Sequence, residues 1–196
     1  MVEATNIVST SMRYWGLDWT KVLPWTLDGI SVESSRFDVV GPFLREHHNQ
    51  IFGGDDGRFL AEAMSPAKLQ FCNEADVFAF RHDGRLVGGS ICHPSDWSTY
   101  YQRLAGLLPD YQGNSVLADF TRALAEPLAK VGVQRIEAEA CATNTHVMRA
   151  LMRIGYVPTG TTATERWGTL VRLTKFISAD AATVFERQLC SMPFKR

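Results

Sequence analysis

The sequence predicts a mixed α/β (α+β) fold, a mixed sheet with helices on its faces. Three observations lead to this prediction. Apolar runs at 77–81 and 86–92 flank the segment His82-Asp83-Gly84-Arg85, and Asp-Gly between apolar runs is a strong hairpin signal. An apolar stripe on helical spacing runs from Val116 to Val131. Strand and helix patterns then alternate from residue 135 to 177.

The remaining elements are predicted from local patterns. Residues 29–33 alternate as a half-buried strand does, and Ser34-Ser35 could cap a helix reaching about His48. The glycine-rich segment 53–57 predicts a loop, and a short helix is expected over 58–64, stopped before Pro66. Further along, the sequence predicts a strand over 99–108, a helix over 116–131, a strand over 135–141, a helix over 144–154, a strand over 168–177 and a helix over 179–189.

Composition narrows the class of protein. The chain has 196 residues, and its 20 Lys plus Arg nearly balance 21 Asp plus Glu, which argues against nucleic acid or an anionic membrane as the main partner. No apolar run approaches the roughly 18 residues of a membrane span, and no secretory signal is visible. The four cysteines form no CxxC pair and indicate reduced thiols. We therefore expect a cytoplasmic domain.

Three segments are predicted. Residues 1–27 hold Trp15, Trp19 and Trp25 and are expected to pack, as an extension, on a main domain that spans 28–177. The adjacent His47 and His48 diverge by roughly 100° on a helix, so no metal site is predicted there. Residues 178–196 are expected to form a C-terminal helix and tail.

The segment 107–116 is the clearest candidate for a binding site. A strand ending in Pro109, followed by Gly113 and a helix, presents free backbone N–H groups, which together with the helix dipole favour a phosphate or pyrophosphate. The alternative is that Gly113 and Asn114 simply start a helix.

The order of these elements resembles that of the GNAT superfamily of N-acyltransferases over about residues 28–176. Gln112-Gly113-Asn114-Ser115-Val116-Leu117 is similar to the family's Gln/Arg-x-x-Gly-x-Gly/Ala loop, and Asn144, Val147, Met148, Arg153, Gly155 and Tyr156 are similar to its later Asn-x-x-Ala-Ile…Lys-x-Gly-Phe signature. The resemblance implies a mostly antiparallel sheet of six to seven strands. It also implies transfer of an acyl group, expected to be acetyl, from acetyl-CoA or another acyl-CoA to the amine of a small molecule or peptide, without a metal.

The resemblance also implies site residues. The donor would contact the backbone at Leu107 and Leu108, the loop residues Gln112, Gly113, Asn114, Ser115, Val116 and Leu117, and Asn144. Tyr101 lies where some members carry a carboxylate base, and Glu139 is the nearest carboxylate on the next strand, although it could be an ordinary strand residue. Leu151 takes the place of the family's usual acid, a tyrosine, so His146 could replace that acid or touch the donor.

Two departures from the family loop leave other readings open. Ser115 replaces the middle glycine and Leu117 the final small residue, which could narrow the pyrophosphate site. The donor could then be an acyl carrier protein, or the chain could be a non-catalytic module that binds acyl-CoA. Homodimers are common in the family, so a homodimer is a further expectation.

Overall fold

The computed structural model describes residues 16–52, 65–164 and 167–190. Within them, the strands are β1 Trp25–Leu27, β2 Ile30–Ser35, β3 Asp76–His82, β4 Arg85–Pro94, β5 Thr99–Leu107, β6 Arg135–Cys141, β7 Val157–Thr164 and β8 Gly168–Phe176. The helices are α1 Phe37–Glu46, α2 His48–Phe52, α3 Pro66–Asn73, α4 Val116–Lys130, α5 Thr145–Arg153 and α6 Ala179–Cys190. The predicted loop at 53–57 and helix at 58–64 lie outside the described residues.

The predicted fold class is confirmed: a mixed, mostly antiparallel sheet is flanked by helices. The described part of the chain contains eight strands rather than six to seven, because β1 and β7 give only weak sequence signals. The contacts divide the chain into two compact units, Met1–His93 with Leu104–Leu117, and Pro94–Arg103 with Ala118–Arg196. The predicted boundaries at residues 27 and 177 remain predictions.

In the first unit, β1, β2, β3 and β4 are neighbours in that order, and each of the first three pairs is antiparallel. Val40 and Leu44 of α1 are buried against Val77 and Ala79 of β3. Gly89 on β4 allows α1 to lie close to the sheet, because a Cβ atom at position 89 would collide with the Val40 side chain. On β3, Phe78 is fully buried and its ring lies 5.1 Å from that of Trp19.

The predicted hairpin is confirmed, since His82 pairs with Arg85 across the two-residue turn Asp83-Gly84. Both turn residues have positive φ angles, 49° and 75°, as a type I′ turn requires. Glycine adopts such an angle without cost, and aspartate tolerates it better than most residues do.

In the second unit, Thr99 to Gln102 of β5 pair in parallel with Arg135 to Ala138 of β6, and β8 pairs antiparallel with both β6 and β7. The even-numbered residues of β6 are buried, whereas Arg135, Glu137 and Glu139 are half-buried on the opposite face. This alternation follows from the two-residue period of a strand.

The starts of helices α1 and α3 differ from the predictions. Helix α1 begins after Arg36, which makes no side-chain cap hydrogen bond, and Ser34 and Ser35 end β2 instead. Helix α3 begins at Pro66, where the prediction had a helix stop, because proline is well accommodated in a first turn and Ser65 caps the helix.

Among the residues described, no helix has the length and apolar character to cross a membrane. Cys72, Cys92 and Cys141 form no disulfide with one another.

Candidate active site

The predicted binding loop connects β5 to α4 in the first unit. Strand β5 ends at the buried Leu107, a single 3-10 turn spans Pro109–Tyr111, and α4 begins at the fully buried Val116. The four residues between them, 112–115, are exposed. Gly113 has a φ angle of +81°, and a Cβ atom there would meet nothing within 4 Å. The backbone at Gly113 therefore faces open space that a ligand can enter.

Gln112 anchors this loop. Its side-chain amide nitrogen donates to the carbonyl oxygen of Leu107 at 2.7 Å and to that of Ile51 at 3.2 Å. These bonds tie the loop to the end of β5 and to α2. The sequence predicted Gln112 as a ligand-binding residue, and the structure gives its side chain a second role in fixing the loop.

The backbone N–H group of Leu108 is already engaged. It donates to the carbonyl oxygen of Val87 on β4 at 2.8 Å. Leu107, one residue earlier, is 1 % exposed. The Leu108 N–H group, one of the two predicted donors to the acyl carbonyl, is thus already bonded within the protein. For Leu108 to fill its predicted role, its hydrogen bond to Val87 must first break.

The start of α4 shows why the loop ends where it does. The Asn114 side-chain oxygen accepts from the Val116 N–H at 3.4 Å, and Val116 is buried beneath the loop. Ser115 is exposed and Leu117 is half-buried. The first N–H groups of a helix have no partner within the helix, so this end can accept an anion.

A tyrosine and a glutamate meet in the second unit. The Tyr101 hydroxyl on β5 donates to Glu139 Oε2 on β6 at 3.1 Å. The side chain of Glu139 is only 14 % exposed. The parallel β5–β6 register places Tyr101 beside Glu137, so the tyrosine reaches one position further along the same face to Glu139. The structure therefore brings together two of the three predicted catalytic side chains.

Burial raises the pKa of Tyr101 to about 12, and the negative charge of Glu139 and the hydrogen bond to it add to the effect. The positive charges of Arg103 and Arg172 oppose this rise in the pKa. The Tyr101 phenol consequently keeps its proton throughout the neutral range, which suits a proton donor and excludes a tyrosinate base.

Arg172 is a site residue that the sequence analysis missed. It faces Glu139 directly across the β6–β8 ladder, and its Nε and Nη2 atoms lie 3.3 and 3.1 Å from Glu139 Oε1. One oxygen of Glu139 thus accepts from arginine and the other from tyrosine. This contact depends on the register between β6 and β8, two strands that are distant in the sequence. Local sequence patterns do not reveal that register.

Asn144 and His146 lie at the start of α5, in the second unit. Asn144 is the N-cap of this helix, because its side-chain oxygen accepts from the Val147 N–H at 3.2 Å. His146 is exposed in the first turn. The described contacts do not join His146 to Tyr101 or Glu139, so the structure does not bring the third predicted catalytic residue to the pair.

The histidines of the first unit have packing roles. The ring of His47 lies 4.7 Å from that of Phe43, and the buried His48 lies 5.2 Å from Phe52. In residues 16–52, 65–164 and 167–190, no group of three or more His, Cys, Asp or Glu side chains is placed to hold a metal ion.

Known structures resemble this chain in fold. No protein-family model and no curated protein sequence matches it. A probable acetyltransferase from Staphylococcus epidermidis superposes with a TM-score of 0.62 at 7 % identity, covering 76 % of this chain and 99 % of that one. A GNAT family acetyltransferase from Elizabethkingia anophelis, with acetyl-CoA bound, has a TM-score of 0.56 at 10 % identity and the same coverage.

A third match is the ribosomal-protein-S18-alanine N-acetyltransferase from Escherichia coli, with a TM-score of 0.58 at 14 % identity, covering 76 % of this chain and 94 % of that one. These similarities confirm the GNAT fold that the sequence motifs predicted.

Proposed function

We propose that the chain is an acyl-CoA-dependent N-acyltransferase that moves an acyl group, expected to be acetyl, to a primary amine. The observation that carries the proposal is the strand–loop–helix at residues 107–116, whose exposed backbone at Gly113 opens onto free space within a GNAT fold. Acetyl-CoA bound to the similar Elizabethkingia protein supports the choice of donor. Since one fold hosts many functions, the individual site residues must carry the chemistry.

The donor's pyrophosphate would rest on the loop. The exposed backbone at Gly113 and the positive end of the α4 dipole are suited to an anion. The hydrogen bonds of Gln112 hold the loop in place before the ligand arrives, which lowers the entropic cost of binding. Asn144, the N-cap of α5, stays a predicted donor-binding residue on the strength of the family resemblance alone.

Tyr101 and Glu139 each carry out one of the two proton transfers that the reaction needs. The neutral amine attacks the thioester carbonyl, so that a C–N bond forms and the C–S bond breaks. Glu139 takes the proton that leaves the nitrogen, and Tyr101 gives its own proton to the departing sulfur. The proton on Glu139 then returns to Tyr101 along their 3.1 Å hydrogen bond, which restores both groups.

This assignment accounts for Leu151. The family's usual acid is replaced by a side chain that cannot donate a proton, and Tyr101 on β5 supplies a phenol from a different element. His146 is the alternative acid, but it lies apart from the pair in the described contacts.

Turnover tests the proposal directly. Purified protein is mixed with acetyl-CoA and a panel of primary amines, and cleavage of the thioester is followed by its ultraviolet absorbance. We expect at least one amine to accelerate cleavage. Binding of acetyl-CoA without turnover of any amine would instead support the non-catalytic module. Turnover with an acyl carrier protein donor but not with acyl-CoA would support the carrier-dependent alternative.

A further inference from the structure

A cleft lies in the second unit, between the sheet and helix α6. Its volume is about 460 Å³, its floor comes from β6, β7 and β8, and its wall comes from α6. Six lining residues matter for its chemistry: Glu137, Arg172, Phe176, Asp180, Val184 and Phe185. The cleft is thus large enough for a small organic molecule.

The charged side chains of the floor favour a cation. Arg172 is held by Glu139, and Arg135, which also lines the cleft, is held by Asp96 at 3.1 Å. Two arginines, Arg135 and Arg172, and two carboxylates, Glu137 and Asp180, line the cleft, whereas Asp96 and Glu139 bind the arginines from outside its lining. Because Asp96 and Glu139 already offset the charges of the two arginines, Glu137 and Asp180 give this part of the cleft a negative charge that a cationic ligand would reduce.

Glu137 is the carboxylate best placed to receive such a cation. Its side chain is 16 % exposed, and the nearest arginine nitrogens lie 3.6 Å and 3.9 Å from its oxygens, beyond hydrogen-bond distance. A carboxylate that is mostly buried gains from strong donors. An ammonium group, with three donors, can satisfy the oxygens of Glu137 from the cleft.

The α6 side of the cleft is apolar. The rings of Phe176 and Phe185 pack at 4.7 Å with an angle of 35° between their planes. Val184, next to them on α6, is 53 % exposed, so it offers a hydrophobic surface that a ligand can cover. A molecule that fills the cleft would place its cation on the floor and its apolar body against α6.

The cleft also leads to the catalytic pair. Glu137 and Glu139 project from the same face of β6, two residues and therefore about 7 Å apart. Arg172 contacts both, at 3.9 Å and 3.1 Å. An ammonium group held at Glu137 is thus one side-chain position away from the proposed base, and it releases one proton to solvent before its nitrogen attacks as the neutral amine.

From these observations we propose that the cleft is the acceptor pocket, and that it selects a primary amine joined to an aromatic or aliphatic body without a carboxylate. This inference rests on the proposed function, which leaves the acceptor open. It excludes free amino acids as preferred acceptors, because their carboxylate would lie among the acidic side chains.

Calorimetry of amine binding to the full chain, without acetyl-CoA, tests the inference. The probes are 2-phenylethylamine and L-phenylalanine, which differ by one carboxylate. We expect 2-phenylethylamine to bind at least about tenfold more tightly, the effect of one unfavourable charge in a partly buried site. Glu137→Gln and Val184→Arg should each weaken its binding by about tenfold.

Two variants outside the cleft serve as matched controls. Glu126→Gln removes an exposed carboxylate of α4, and Val39→Arg adds a cation at a valine of α1 that is 41 % exposed. Both should leave the affinity unchanged. Equal affinity for the two probes, absence of amine binding, or binding that is insensitive to Glu137→Gln and Val184→Arg would overturn the inference. Donor binding is measured separately with acetyl-CoA, so a failed acceptor assignment is distinguishable from a failed function.

Discussion

At the scale of single residues, Tyr101 and Glu139 have distinct roles because their surroundings differ. Tyr101 is partly buried beside a negative charge, so its phenol holds its proton to about pH 12 and can act only as an acid near neutrality. Glu139 accepts hydrogen bonds from Arg172 at one carboxylate oxygen and from the Tyr101 hydroxyl at the other. The sequence placed both residues on neighbouring strands, but their hydrogen bond depends on the β5–β6 register.

Replacing Tyr101 by phenylalanine tests the role of the acid. The variant keeps the ring and loses the proton that the thiolate needs, so we expect kcat to fall by about 100-fold. The KM for acetyl-CoA should stay within about twofold, because the loop at residues 112–117, which we propose binds the donor, is unchanged in this variant. Steady-state kinetics with the best amine measures both values. Unchanged kcat would remove Tyr101 from the mechanism.

The raised pKa of Tyr101 leads to a pH prediction. In Glu139→Gln the neighbouring negative charge is gone, so the pKa of Tyr101 should fall below 12 but stay above its usual value of 10, since burial is the largest cause. Ultraviolet titration of the phenols reports this change, and Tyr101→Phe identifies the component that belongs to Tyr101. An upward shift in Glu139→Gln would contradict the assigned electrostatics.

At the scale of elements, the loop between β5 and α4 depends on one left-handed residue. Gly113 turns the chain at a φ of +81°, and the Gln112 side chain then reaches the carbonyls of Leu107 and Ile51. A side chain at position 113 has room but is strained by the backbone angle.

We expect Gly113→Ala to lower the free energy of unfolding by about 1–2 kcal/mol and to weaken acetyl-CoA binding about tenfold, because the strained loop moves its N–H groups. Gly132→Ala is the matched control. Gly132 also has a positive φ, +88°, and open space around it, but it follows the end of α4. It should lose similar stability and keep its affinity in calorimetry. Equal loss of affinity in both variants would argue against a donor site at the loop.

The connection from β4 to β5 is organised by Asp96. Its carboxylate accepts hydrogen bonds from the Ser98 N–H, from the hydroxyl groups of Ser98 and Thr99, and from Arg135. Burial alone would raise the pKa of Asp96, but these hydrogen bonds and the Arg135 charge outweigh it and hold the pKa below its ordinary value of 3.8.

Asp96→Ala should therefore cost about 2 kcal/mol of unfolding free energy at pH 7. A carboxyl group whose pKa is lowered on folding stabilises above its unfolded-state pKa, and that contribution is lost as pH falls through the folded-state value. Urea unfolding of both proteins should consequently show the difference shrinking from pH 7 to pH 3. A difference that grew toward acid pH would rule out this role.

At the scale of the whole molecule, strong local signals determined how much of the fold was predictable. Asp83-Gly84, the stripe of α4 and the boundaries of β6 were predicted correctly, because turn chemistry and periodicity specify them. Strand β7 was missed because it is a mostly exposed edge strand with Pro158 and Gly160, so it lacks an alternating pattern. Helix α3 was missed because none of its described residues is buried, so no apolar stripe marks it.

The candidate site was likewise predictable only where local sequence patterns specify it. The loop around Gly113 was predictable because its residues are contiguous. Arg172 and the cleft under α6 were not, because they depend on strand register and on the packing of the C-terminal helix over distant strands. Local sequence patterns do not predict the parts of a site whose residues come from separate strands and helices.

The melting temperature with and without saturating acetyl-CoA tests the central claim most directly. Ligand at about 100 times its dissociation constant stabilises the folded chain by about 2.7 kcal/mol, which corresponds to a rise of roughly 5–10 °C for a chain of this size. We expect a rise of that order in the wild-type chain and a smaller one in Gly113→Ala at the same concentration. An unchanged melting temperature with acetyl-CoA and with longer acyl-CoA donors would contradict an acyl-CoA site at the β5–α4 loop.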